Sequence, residues 1–120
     1  LQRRAAQGKL AQTEAAVEAL EAERKRIAEE IGVQLSAVST DVGATAKLLT
    51  IARDDAVQAE ALAQAERRRL QLGTSDLLRV ALREEGAADA RIREIDAALR
   101  QALAHAELAA ATADLRLLGL

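Results

Sequence analysis

The sequence predicts an all-α fold, a single long antiparallel α-helical hairpin of coiled-coil character, and three observations carry that reading. Aromatic residues make up 0% of the 120-residue chain, and proline, cysteine and methionine are absent, while alanine fills about a quarter of it. Such a composition lacks both the large side chains of a compact core and the strongest helix breaker, and it favours thin, closely packed helices. Apolar residues recur at helical steps of three, four and seven over most of the length. Finally, the stretch Gln71 to Val80, reading QLGTSDLLRV, brings a helix stop and a helix start within four residues.

The first arm is expected over about residues 3–72. Its stripe begins with Leu10, Val17, Leu20 and Ile27 and continues through Ile31, Leu35, Val38 and Val42. Charged residues lie between them, with opposite signs at helical spacing such as Glu21 with Lys25, each pair contributing a few tenths of a kcal/mol. From Gly32 to Ala46 the texture turns β-branched and small, and a strand is conceivable there. Helix is the better reading, because Ile31, Leu35, Val38, Val42 and Ala46 keep the stripe and a lone strand leaves its backbone unpaired. Small residues in this zone suggest tight lateral packing. Towards the turn the pattern thins to alanine, with Leu48, Leu49, Ile51, Ala52, Ala56, Ala59, Leu62, Ala63, Glu66 and Leu70.

The turn is placed at 73–75. Gly73 can adopt the left-handed conformation that closes a helix, and Thr74, Ser75 or Asp76 can cap the next one. The second arm, about 76–118, carries Leu78, Leu82, Ala88, Ile92, Ile95, Leu99, Leu103, Ala106, Ala110, Ala113 and Leu117 as its expected seam and stops at Gly119. Gly86 interrupts this arm at about 1 kcal/mol relative to alanine, so close backbone approach or plain tolerance has to explain it. A hairpin of this kind has one alanine-rich seam, so its remaining apolar edges are expected to seek neighbours by lateral self-association.

The net charge of −2, from 17 basic and 19 acidic residues, gives no field to attract nucleic acid. The run Arg67, Arg68 and Arg69 lies at a helix C-terminus, where cations meet the negative end of the helix dipole. No run of 18 apolar residues exists to cross a bilayer as a helix. The opening Leu1-Gln2-Arg3-Arg4 reads as a segment of something larger. Catalysis lacks its parts: His105 is the sole histidine, cysteine is absent, and no nucleophile, base and orienting group form a set. Glu29 with Glu30, and Glu84 with Glu85, are adjacent pairs that point in different directions and have no His or Cys beside them, so neither a metal nor a cofactor is expected. The concentrated irregularity is the turn. Leu72, Gly73, Thr74, Ser75, Asp76, Leu77, Leu78, Arg79 and Val80 form the candidate partner-binding tip, because Leu77, Leu78 and Val80 place apolar bulk where nothing in the chain obviously covers it.

The stretch RRRLQLGTSDLLRVALREEGAADARIREIDAALRQALAHAELAAATADL resembles a periplasmic helical hairpin of TolC-like outer-membrane efflux proteins. The residues that match are Arg68, Leu72, Gly73, Ser75, Leu77, Leu78, Val80, Ala90, Arg91 and Ala97, with the Gly-x-Ser-x-Leu-Leu turn carrying most of the weight. The upstream arm, including KLAQTEAAVEALEAERKRIAEEI, looks like the helix descending from the membrane barrel, so the resemblance spans essentially the whole chain. It implies a segment of an α-helical barrel: the periplasmic duct of a homo-trimer whose β-strands, absent from this chain, hold it in the outer membrane. The hairpin tips would dock to a periplasmic adaptor protein coupled to an inner-membrane transporter, in a tripartite pump or a type I secretion system. Family members often carry an acidic residue where Arg79 stands, and here the acidic residue of the turn is Asp76. The adaptor's own hairpin is the rival within the same machinery. Its tip pairs an Arg, a Leu four residues on and a Ser seven beyond; Arg68 and Leu72 fit, and Arg79 replaces the Ser. A coiled-coil scaffold is the alternative from another class, favoured by composition and opposed by the turn.

Overall fold

The computed structural model describes residues 2–117, with side chains as far as Ala113. Helix α1 spans Gln2–Gln71 and helix α2 spans Leu77–Leu117. No strand occurs among the described residues, and Gly32 to Ala46 is helical throughout. The expected stop at Gly119 lies outside the described residues. Packing divides the chain into two units, Leu1–Ala37 and Val38–Leu120.

In the first unit every side chain from Gln2 to Glu30 is exposed, the apolar Leu10, Val17, Leu20 and Ile27 included. Local contacts support this stretch. Arg26 donates to Glu23 at 2.7 Å and reaches Glu30 at 3.4 Å, so it is Arg26, and not the expected Glu21–Lys25 pair, that braces this turn of helix. The hydrogen bond from Arg26 holds the Glu23 carboxyl below the usual carboxylate range.

The second unit is the hairpin. In α1 the residues turned inward are Val38, Val42, Thr45, Leu49, Ala52, Ala56, Ala59, Ala63, Glu66 and Leu70, alternating steps of four and three. In α2 they are Val80, Ala87, Ala90, Glu94, Ala97, Gln101, Ala104, Leu108 and Ala111, again on a seven-residue repeat. Both follow the coiled-coil period. The most deeply covered positions are alanines: Ala63 and Ala90 at 0% exposure, Ala56 and Ala104 at 2%. Side chains this short let two helix axes approach closely. Among the described residues three ion pairs cross the seam, Arg67 with Glu84 at 2.6 Å, Arg93 with Asp55 at 2.8 Å and Arg53 with Glu94 at 3.8 Å.

This corrects the expected α2 seam. Leu78, Leu82, Ile92, Ile95, Leu99 and Leu103 are 55–70% exposed. Ala88, Ala106, Ala110 and Ala113 are exposed with them. In α1, Leu48, Ile51 and Leu62 also face outward, whereas Leu49, Ala52, Ala56, Ala59, Ala63, Glu66 and Leu70 do line the interior. The physical reason is that α2 has two regular apolar stripes, and the turn, not side-chain bulk, decides which one meets α1. A cap at Asp76 places Val80 one helical turn later against α1, and a repeat of seven carries that phase to Ala87 and beyond. The glycines do not mediate close approach either: a Cβ built at Gly43 or Gly86 meets no atom within 4 Å. Tolerance, in open space, accounts for Gly86.

Candidate docking site at the hairpin turn

Helix α1 closes with a hydrogen-bond pattern that requires glycine. Gly73 has φ +73° and its N–H donates to Leu70 O at 2.9 Å, while Thr74 N–H reaches back to Arg69 O at 2.9 Å. This is the Schellman arrangement, with Gly73 in the left-handed position. The Thr74 hydroxyl adds a second bond to Arg69 O at 3.1 Å. Of the three candidate caps for α2, Asp76 takes the role: its Oδ1 accepts from Arg79 N–H at 2.8 Å, and Val80 N–H makes the first helical bond to Asp76 O at 3.3 Å. Ser75 does something else. Its hydroxyl donates to the carboxylate of Glu66, the one charged side chain buried among the described residues. A buried carboxylate is tolerated only when hydrogen-bonded, and Ser75 supplies that bond across the turn.

The nine tip residues divide by exposure. Leu72, Leu77 and Leu78 are 78%, 74% and 70% exposed, an uncovered apolar triplet at the turn end. Val80 departs from expectation: at 8% it belongs to the seam and contributes nothing to the tip surface. Gly73, Thr74, Asp76 and Arg79 are exposed, and Ser75 is half-buried by its bond to Glu66. Arg68 and Arg69 lie in the last turn of α1, where the helix dipole favours them. Arg67 instead spans to α2, and its bond to Glu84 raises its already high pKa.

Beside the triplet lies a groove of about 440 Å³ lined by Glu66, Arg69, Arg79, Leu82 and Arg83. Sequence reasoning missed Arg83. The signal was present, since Arg83 follows Arg79 by four residues, one helical turn, although its side chain is exposed. His105 is exposed in α2, and no group of three or more His, Cys, Asp or Glu among the described residues is placed to hold a metal. No described helix is long and apolar enough to cross a membrane. Comparison with protein-family models, curated proteins and solved structures finds no match.

Proposed function

We propose that this chain is the periplasmic duct segment of a trimeric outer-membrane efflux or secretion channel, whose tip docks to the periplasmic adaptor of an inner-membrane transporter. The observation that supports it is the inversion of α2: alanines are spent on the seam, and Ile92, Ile95, Leu99 and Leu103 remain on the outer face. Fully covering a leucine or isoleucine contributes about 1.5–3 kcal/mol, so a row of four left in water is a strong incentive to pack against something else. Hairpins standing side by side in a ring cover such a row without a globular core, and the resemblance of the Gly73-x-Ser75-x-Leu77-Leu78 turn points to the same architecture. The role is passive: the walls shape a conduit and the tip recognises a partner.

The test is export by the full-length protein carrying Leu77→Asp and Leu78→Asp. Both residues are exposed, so helix content stays as in the parent while export is abolished. Unchanged export in that variant contradicts docking through the tip.

A further inference from the structure

The arginines lining the groove beside the tip are loosely held. Arg67 and Arg93 hold Glu84 and Asp55 at 2.6 and 2.8 Å, whereas Arg69 stands 3.7 Å from Glu66 and Arg79 stands 3.5 Å from Asp76. Arg83 makes no ion pair or hydrogen bond among the described residues. The neighbour that would serve it, Glu66, lines the same groove but has its carboxylate engaged by Ser75 and flanked by Arg69. Three guanidinium groups therefore surround one groove whose single carboxylate is already taken, with the side chain of Leu82 between them. A guanidinium recognises a carboxylate through paired, charge-assisted hydrogen bonds, and an adjacent apolar wall strengthens that contact by excluding water.

We propose that this groove receives a carboxylate side chain of the docking protein, an Asp or Glu presented next to an apolar residue on a helical segment, with Arg83 as the principal contact and Arg79 as the second. The inference rests on the docking role given to the tip above. Charge complementarity selects the occupant. Leu72, Leu77 and Leu78 supply apolar area at the turn, and the groove supplies orientation by demanding one negative charge at one place.

The experiment titrates the full chain with a fluorescent helical peptide carrying Glu beside Leu, and with the same peptide carrying Gln in place of Glu. The Glu peptide binds the parent more tightly than the Gln peptide. Arg83→Glu weakens the Glu peptide by about tenfold or more, the scale of one lost charge-assisted contact. A peptide with Lys in place of Glu then recovers affinity for Arg83→Glu, which a merely structural role for Arg83 would not produce. Circular dichroism of Arg83→Glu checks the fold, and Arg83→Gln replaces it where helix is lost. Equal binding of the Glu and Gln peptides, no binding of either, absence of the Lys rescue, or full displacement by inorganic phosphate overturns the inference. If the peptides fail while export still collapses with Leu77→Asp and Leu78→Asp, tip docking stands and the groove does not. If the peptides succeed while export ignores those leucines, the groove stands and the duct reading falls.

Discussion

The two faces of α2 differ in a way opposite to a globular helix. The inner face holds Val80, Ala87, Ala90, Ala97 and Ala104, all at 9% exposure or less, while the outer face holds Ile92, Ile95, Leu99 and Leu103 at 55–63%. In a helix that packs once, bulk collects on the covered side. Here bulk sits mostly exposed, and the covered side is kept small. The difference teaches that seam and surface do separate work: the alanine seam brings α1 close, and the larger stripe stays exposed, the face that the proposed function gives to a neighbour.

The comparison is broken most severely by adding bulk to the inner face. Ala90→Leu forces extra methylene and methyl groups into a position with 0% exposure, and should cost about 1–3 kcal/mol in denaturant unfolding. Ala88→Leu, two residues away on the outer face, should change stability by no more than about 0.5 kcal/mol. Equal costs at the two positions would mean that the faces are not distinct. A smaller effect is expected at the turn that sets the phase. Asp76→Ala removes the acceptor for Arg79 N–H and should lower stability by about 1 kcal/mol, read from the unfolding midpoint. The smallest change is a gain. Gly86→Ala adds a Cβ into open space in a helix interior and should stabilise by up to about 1 kcal/mol, whereas a loss would mean that something approaches Gly86 closely.

Much of this was legible in the sequence, for reasons tied to particular residues. Gly73 and the three capping candidates Thr74, Ser75 and Asp76 announced the reversal, because a left-handed position and a cap each demand specific chemistry, and the structure gives the cap to Asp76. The helices followed from the absence of proline and from a period that never breaks. The face of α2 was not legible, because hydrophobic periodicity weights Leu and Ile above Ala and so selects the wrong one of two equally regular stripes. Bulk told where apolar area lies; only the turn's geometry told which stripe turns inward. Val80 was misplaced for the same reason, read as tip surface when the cap at Asp76 points it into the seam. Ser75 was expected as a capping candidate and instead satisfies Glu66, a long-range partnership that no local spacing encodes. At the tip, Leu77 and Leu78 were legible as uncovered because they follow the turn directly.

The central claim is that the outer face of α2 is the one a neighbouring hairpin covers. The chain has no cysteine, so single thiols introduced by Ile95→Cys and Ala90→Cys report cleanly on accessibility. Alkylation of the full-length protein should find Ala90→Cys slow in every state, and Ile95→Cys fast in the dissociated chain and slow once assembled. An Ile95→Cys thiol that reacts equally fast before and after assembly would contradict the account.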